Sequence, residues 1–286
     1  MSIHLQSASD LALIVTSSVA PRLFALVIGI DDYMKDTKLR GSCADALAIA
    51  EYLKTGLNVP SNQITVLLDE CASRKAILDA FKRLKDNEEI QPGDPILIFY
   101  AGHGAEIFDN DVEGMQKIQS IIPQDHDGGI AVHPIPDKTI GSLLAQLHRE
   151  KGDNIVSRSS VYLSFFCSNG VQIVILDCCH SGGMCRDNDN GQSLVRAAEI
   201  DDSYRLPDDL DADVTELTRT IQPAKTFAPG ALNTHVLLAA CSERELARES
   251  GGRGKFTKAL LELFKVARLE QLSYYETLAL MEKIDG

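Results

Sequence analysis

Short apolar runs recur along the chain and alternate with segments whose apolar residues follow helical spacing. The runs are rich in Val, Ile, Leu and Phe and are bounded by turn residues, which is typical of strands buried on both faces of a sheet. We predict strands at 24–30, 63–68, 95–101, 171–178 and 235–240. Apolar residues three or four positions apart predict helices near 44–53, 73–85, 139–149, 254–267 and 273–284.

The order of these elements predicts the fold class. Strands that alternate with helices favour right-handed crossovers and a mainly parallel sheet with helices on both faces. Ser73 is a plausible N-cap for the helix that follows it, because its hydroxyl can accept a bond from a free backbone amide of the first turn. The sequence therefore predicts an α/β fold.

Reactive side chains follow two of the predicted strands directly. Gly102-His103-Gly104 follows the third strand, and Cys178-Cys179-His180 ends the fourth. Because the carboxyl ends of parallel strands meet at one edge of a sheet, we expect these groups to lie close together. A cysteine nucleophile needs a nearby imidazole to take its proton, and it needs backbone amides that can reach the developing oxyanion. The neighbouring glycines permit that close approach.

Two choices stay open at this point. Cys178 and Cys179 are both candidate thiols, and His180 competes with His103 as the base. Adjacent residues on a strand point to opposite faces, which argues against a pairing of His180 with its neighbour.

Composition narrows the classes of partner and the location. The 286 residues include 41 acidic against 28 basic side chains, for a net charge of −13. Such a charge argues against nucleic acid or an anionic membrane as the main partner. No apolar run is long enough to span a bilayer. Seven cysteines without paired CxxC motifs predict reduced thiols. Reduced thiols indicate a cytoplasmic protein, with the nucleus as a second location. We also expect a monomer.

Taken together, the motifs resemble those of caspase-fold cysteine peptidases, and most closely the fungal type I metacaspases. The resemblance runs from about residue 23 to the C-terminus and is carried by 24–30, 39–46, 100–104, 177–182 and 238–243. It implies a caspase-like fold and a cysteine endopeptidase that cuts protein or peptide substrates after Arg or Lys. A non-catalytic caspase-fold adaptor is the alternative function.

The resemblance also implies a role for each matching residue. His103 would be the general base and acid, and Cys179, the thiol directly before His-Ser-Gly, would be the nucleophile. The amides of Gly104 and Cys179 would form the oxyanion hole. Asp45 and Asp177 would bind the basic side chain of the substrate, which suits carboxylates. The alternative for Asp45 is an acid that interacts with a helix macrodipole.

Two further expectations concern regulation. Type I metacaspases carry acidic segments tied to calcium activation, and the matching candidates for calcium ligands are Asp109, Asp111, Asp125 and Asp187. Ordinary solvated acids are the alternative. We interpret 184–230 as a long mobile loop and the region of self-cleavage, with Arg205 and Lys225 as the preferred sites. A solvated tether is the alternative there.

The predicted domain organisation has an N-terminal extension at 1–22 and a caspase-like domain at 23–286. Within that domain we expect a large part at 23–183, the acidic loop, and a small part at 231–286. The resemblance implies truncation at the C-terminus, because the family continues beyond residue 284.

One block departs from the family's spacing. His103 and Cys179 lie 76 positions apart, whereas caspases have about 50. The 17 residues of 156–172 account for most of the excess, and codons available for Val156-Ser157 and Gln172 include splice-donor and splice-acceptor sequences. We interpret the block as a translated, retained intron; a genuine loop insertion is the alternative.

Overall fold

The computed structural model describes residues 21–108, 117–152, 172–179, 193–201, 203–215, 235–240 and 247–266. Its centre is a parallel sheet of five strands: β1 (Phe24–Gly29), β2 (Ile64–Leu68), β3 (Ile96–Ala101), β7 (Gln172–Asp177) and β9 (His235–Ala239). They lie side by side in the order β2-β1-β3-β7-β9. Each lies within one residue of its predicted bounds, and the predicted parallel α/β class is confirmed.

Helices cover both faces of this sheet. They are α1 (Ser42–Glu51), α2 (Arg74–Asp86), α3 (Asp137–Lys151), a short α4 (Ala212–Thr215) and α5 (Lys255–Val266). The predicted N-cap of α2 is present, since the Ser73 hydroxyl accepts a bond of 3.2 Å from the Ala76 amide. The helix predicted at 273–284 lies outside the described residues.

The core consists of two apolar layers, because successive side chains of each strand alternate between the faces. On one face, strand residues such as Ile98 and Val174 pack with Phe81 of α2 and Leu144 of α3. On the other face, a second set of strand residues packs with α1 and α5; this set includes Val27, Phe99, Ile175, Ile49 and Phe264. The sheet therefore holds its carboxyl edge rigidly between two packed layers.

Two small antiparallel sheets lie outside the five predicted strands. One contains β4 (Gly104–Phe108), β5 (Lys117–Ile121) and β6 (Ile135–Pro136). The other contains β8 (Ser193–Val195), β10 (Arg248–Ser250) and β11 (Arg253–Gly254). The interpretation of 184–230 as one long mobile loop is therefore wrong over 193–198, because β8 is paired with β10 and Arg196 is fully buried.

Several predicted segments fall outside the part of the chain that the structure describes. These are the N-terminal extension up to residue 20, most of the 156–172 block, and the last 20 positions of the chain. The retained-intron interpretation therefore stays a hypothesis. Within the described helices, none has the length and apolar character that a membrane span requires.

Candidate active site

The two reactive motifs meet at the carboxyl edge of the central sheet. β3 and β7 are neighbouring strands, and their last residues, Ala101 and Asp177, are paired in register. His103 follows β3 by two residues and Cys179 follows β7 by two residues. Both side chains are almost entirely shielded from solvent. The fold thus brings together residues that lie far apart in the sequence.

The ring of His103 is held in one tautomer. Its Nε2 atom lies 2.6 Å from the carbonyl oxygen of Thr37, which can only accept, so Nε2 carries the proton. Its Nδ1 atom therefore has the free lone pair, and it has no hydrogen-bond partner among the described residues. Burial lowers the pKa of His103, and the bond to Thr37 opposes that shift only in part. A neutral imidazole with an available Nδ1 is suited to accept a proton.

Two tyrosines fix the backbone of His103. The Tyr33 hydroxyl accepts a 2.7 Å bond from the His103 amide, and the Tyr33 ring lies 4.7 Å from the imidazole, centre to centre. The Tyr100 hydroxyl donates to the His103 carbonyl at 2.6 Å and also contacts the carbonyl of Ile122 at 3.0 Å. The position of the imidazole is therefore fixed by two buried side chains, Tyr100 on β3 and Tyr33 in the loop after β1.

The two adjacent thiols have different surroundings. Cys178 packs in the apolar layer that also contains Tyr100 and Leu176. Cys179 instead lies against Ala247: its Sγ accepts from the Ala247 amide at 2.9 Å and lies 3.3 Å from the carbonyl oxygen of the same residue. Cys179 therefore contacts the polar backbone groups of Ala247, while Cys178 is buried beside Tyr100 and Leu176.

The amides of Gly104 and Cys179 converge on a single oxygen atom. Both donate to the carbonyl of Arg196, at 3.1 Å and 3.0 Å. Gly104 cannot carry a side chain there, since a Cβ atom would lie 2.0 Å from the carbonyl oxygen of Cys179. The convergence of two amides on one carbonyl oxygen is the geometry that stabilises an oxyanion.

The segment around Arg196 crosses this edge of the sheet as an extended strand. The Arg196 amide donates to the Ala247 carbonyl at 3.0 Å, and the Ala198 amide donates to the Gly104 carbonyl at 2.9 Å. Just before it, β8 pairs with β10 in a register that sets Leu194 opposite Glu249. We call residues 193–198 the internal strand.

The guanidinium of Arg196 lies in a pocket formed by three buried carboxylates. Its Nη2 atom is 2.6 Å from Asp45, and its Nη1 atom is 2.8 Å from Asp177. Nη2 and Nε lie 3.3 Å and 3.4 Å from an oxygen of Glu249. Although burial alone would lower the pKa of Arg196, the charges of these carboxylates raise it well above its ordinary value. We call Asp45, Asp177 and Glu249 the acidic pocket.

Neighbouring groups position the pocket's carboxylates. Asp45, in the first turn of α1, also accepts from Arg253 at 2.5 Å and from the Gly254 amide at 2.7 Å. Asp177 accepts from the hydroxyl of Thr257 at 2.6 Å. A Cβ atom on Gly254 would lie 2.5–2.6 Å from side-chain atoms of Asp177, Arg196 and Asp45. Glycine at this position therefore leaves the room that the Arg196 side chain occupies.

Sequence reasoning placed Asp45 and Asp177 in this region but missed Glu249 and Gly254, and it did not single out Arg196. The glycine-rich turn at 251–254 was a usable signal, since it flags a close approach of backbone to another group. Nothing in the sequence distinguishes Arg196 from other basic residues of the same acidic segment.

Other predicted site residues do not join this cluster. Asp125 accepts a bond from the Arg74 amide at 2.7 Å. The described part of the chain contains no group of three His, Cys, Asp or Glu side chains that could hold a metal ion. Arg205 is exposed, with its guanidinium carbon 4.9 Å from the centre of the Phe108 ring. Four further candidates lie outside the described residues: Asp109, Asp111, Asp187 and Lys225. So does His180. Calcium binding stays a prediction.

Comparison with known proteins identifies the family of this chain. The family model described as "Caspase domain" matches residues 22–284. Metacaspase-1 of Saccharomyces cerevisiae is 27% identical over 173 residues, which cover 58% of this chain and 35% of the yeast protein. Metacaspase-1A of Neurospora crassa is 26% identical over 178 residues, which cover 59% of this chain and 34% of that protein. The chain thus matches about a third of the length of these curated relatives.

A solved structure supports the fold. Protein GSU0716 from Geobacter sulfurreducens superposes with a TM-score of 0.56 at 19% identity, over 92% of this chain and 89% of that one. At this identity the likeness concerns the fold alone. With the family model spanning nearly the whole sequence, the chain belongs to the caspase-domain family and is a caspase-fold, metacaspase-like protein.

Proposed function

We propose that the protein is a cysteine endopeptidase that cuts protein or peptide chains after Arg or Lys. One observation carries the proposal: the internal strand occupies the site as a substrate would. Its Arg196 side chain fills the acidic pocket while the carbonyl of the same residue accepts from the amides of Gly104 and Cys179. A basic residue bound in this way has its carbonyl carbon beside the residue that bears the thiol.

The groups at this site supply each step of peptide hydrolysis. Nδ1 of His103 takes the thiol proton, and Sγ of Cys179 attacks the carbonyl carbon that follows the bound basic side chain. The electron pair of the carbonyl moves to its oxygen, where the two amides stabilise the charge. The C–N bond then breaks, and His103 returns its proton to the leaving amine. Water hydrolyses the thioester, with His103 as base, and the thiol is restored.

The same observation supports self-processing at a specific bond. Among the basic residues of the acidic segment that the structure describes, Arg196 presents its carbonyl to both amides, so we assign the bond between Arg196 and Ala197 as the one that is cut. Arg205 lies exposed, away from the acidic pocket. Cleavage would leave a carboxylate on Arg196 and a new amino terminus on Ala197, and it would let the internal strand leave the site.

Mass spectrometry of the purified chain tests the self-processing proposal. We expect a fragment that begins at Ala197, and we expect Cys179→Ala to remain intact. A cut after Arg205 or Lys225 would favour the prediction from sequence and overturn the assignment to Arg196. An intact wild-type chain, or the same fragments from Cys179→Ala, would contradict self-processing altogether.

Hydrolysis of fluorogenic peptides that end in Arg, Lys or Asp tests the peptidase proposal. The wild-type chain should release dye from the basic peptides and leave the Asp peptide intact. Cys179→Ala should abolish release, whereas the matched variant Cys178→Ala should retain most of it, because the side chain of Cys178 is buried in the apolar layer of the core. Release from the Asp peptide, or loss in Cys178→Ala alone, would contradict the proposal. No hydrolysis at all would favour the adaptor alternative. Each assay is run with calcium and with a chelator, because faster release with calcium would support the proposed activation.

A further inference from the structure

The loop between β1 and α1 positions the imidazole of His103. Two of its groups contact that residue: the Tyr33 hydroxyl accepts from the His103 amide at 2.7 Å, and the Thr37 carbonyl accepts from Nε2 at 2.6 Å. The tautomer and the orientation of the imidazole therefore depend on where this loop lies. We call residues 31–39 the histidine loop.

The histidine loop is closed at its base by Asp31. The Leu39 amide donates to the Asp31 carbonyl at 2.9 Å, which brings the two ends of the loop together. The Asp31 carboxylate accepts from the amides of Ser42 and Cys43, at 2.8 Å and 3.1 Å, in the first turn of α1. These amides have no partner within the helix, so the carboxylate satisfies both of them. The position of the whole loop therefore depends on how Asp31 is held.

The backbone of Asp31 is held in turn by Asp69. The Oδ1 atom of Asp69 accepts from the amides of Asp31 and Asp32, at 2.8 Å each. Asp69 reaches these amides because β1 and β2 are paired in register, with Gly29 opposite Leu68, so the segments that follow both strands leave the sheet side by side. One carboxylate oxygen from a neighbouring turn therefore fixes the first two amides of the histidine loop.

The backbone of Asp69 has an unfavourable conformation. Its φ is 41°, in the left-handed region that most residues with a side chain avoid, and it begins a single 3₁₀ turn that ends at Cys71. Aspartate and asparagine tolerate this conformation better than other residues that have a Cβ atom. Residues in such conformations persist only where their surroundings hold them, and they are frequent at functional sites. Here the unfavourable conformation coincides with the two bonds to the histidine loop.

Other contacts hold the histidine loop away from its base. The Gln124 side chain donates to the Asp32 carbonyl at 2.8 Å, and the Gln124 carbonyl accepts from the Met34 amide at 3.1 Å. The Asp36 carboxylate lies 2.8 Å from Nδ1 of His126. Loss of the bonds at the base should therefore displace the loop rather than unfold it.

We propose that Asp69 is a positioning residue for the catalytic imidazole. It acts through the histidine loop, which carries Tyr33 and Thr37, rather than by contact with the reacting atoms. The inference rests on the proposed peptidase function, in which Nδ1 of His103 takes the thiol proton. Because a displacement of about 1 Å can lower a rate by roughly a hundredfold, a small shift of the loop is sufficient to affect turnover.

Two substitutions separate the side-chain oxygen of Asp69 from its backbone conformation. Asp69→Asn keeps an oxygen that can accept from both amides, whereas Asp69→Gly keeps the left-handed conformation and removes the oxygen. We compare kcat and KM for a fluorogenic peptide that ends in Arg, with the Arg196→Gln chain as parent because its acidic pocket lacks the internal guanidinium. We expect Asp69→Gly to lower kcat by about tenfold or more while KM stays within about threefold.

The asparagine variant should remain within about threefold of the parent in kcat and KM, because its side-chain oxygen replaces the lost acceptor. Glu70→Gly, at an exposed position of the same turn, is the matched control for added backbone freedom and should have the activity of the parent. Full activity of Asp69→Gly would overturn the proposal. An equal loss in Asp69→Asn, a loss mainly in KM, or failure of Asp69→Gly to fold would indicate a general role in folding and would also overturn it.

A second test needs no turnover and separates this inference from the peptidase proposal. In Cys179→Ala chains that contain nitrogen-15 histidine, two-bond proton–nitrogen correlations show which ring nitrogen of His103 carries the proton, and His103→Gln identifies its signals. We expect the Nε2–H tautomer in the parent and in Asp69→Asn, and a mixture of tautomers in Asp69→Gly. This result without hydrolysis of any peptide would support the role of Asp69 and contradict the peptidase alone. An unchanged spectrum of Asp69→Gly, or an altered one of Asp69→Asn, would overturn that role whatever the activity.

Discussion

Replacing Arg196 with glutamine should release the internal strand from the active site. The guanidinium is fully buried, and its charge balances three buried carboxylates. Without it, Arg253, bound to Asp45, is the cation that the described residues leave in contact with this cluster. The acidic pocket should then bind water or another cation in preference to the neutral glutamine side chain.

The structure sets the size of this effect. Removing one partner of a buried ion pair costs about 3–5 kcal/mol when the other charge stays buried, and less when water can reach it. Four backbone hydrogen bonds hold Arg196 and Ala198 to Gly104, Cys179 and Ala247. At about 1 kcal/mol each, they give a stabilisation similar to that of the ion pairs. A loss of about 3 kcal/mol would raise the population with an open site by roughly a hundredfold.

Alkylation of Cys179 measures the departure of the internal strand, because the thiol is fully buried while that strand occupies the site. The chain with Arg196 and its Arg196→Gln variant both carry His103→Ala, so that neither can cut itself. Peptide mass mapping then measures the rate at which iodoacetamide modifies Cys179. Arg196→Gln should react at least tenfold faster at Cys179, and it should unfold several degrees lower. Arg205→Gln, an exposed charge on the same segment, is the control. Equal alkylation rates and equal melting temperatures would refute the assigned role of Arg196.

Three further predictions follow from the site and its support. Gly104→Ala should reduce kcat/KM by at least tenfold, because its Cβ would displace the Cys179 carbonyl and with it the paired amides; full activity in the peptide assay would contradict this geometry. The pKa of His103, measured by NMR in Cys179→Ala, should lie below 6.5 because burial lowers it. Between the pKa of the folded chain and that of the unfolded chain, the unfolded chain binds more protons, so the free energy of unfolding rises with pH in that range. A value above 6.5 would contradict the buried, neutral imidazole. Ser73→Ala should lower the free energy of unfolding by about 1 kcal/mol in urea, through loss of the bond to the Ala76 amide; an unchanged midpoint would contradict the capping role.

The central sheet was predictable because its strands are buried on both faces. Continuous runs such as 24–29 and 96–101 leave no other place for so many apolar residues, and their ends then locate His103 and Cys179. The N-cap at Ser73 was predictable for a similar reason, because capping depends on residues three positions apart.

The acidic pocket was predictable only in part, because its contacts are long-range. Asp45 and Arg196 lie 151 positions apart, and Glu249 contacts the Arg40 amide across 209 positions. The strands that bring them together, β8 and β10, have three residues each and show no periodicity. An arginine in an acidic segment is normally solvated, so the burial of Arg196 depends on tertiary contacts that sequence patterns do not encode.

Covalent capture by a peptide chloromethyl ketone that ends in arginine tests the central claim most directly. The reagent needs the acidic pocket, the paired amides and the thiol at once, and it does not depend on turnover. In the Arg196→Gln chain, mass mapping should locate the adduct on Cys179, and an otherwise identical reagent ending in aspartate should leave the protein unlabelled. Labelling of Cys178, or equal labelling by the aspartate reagent, would contradict the account.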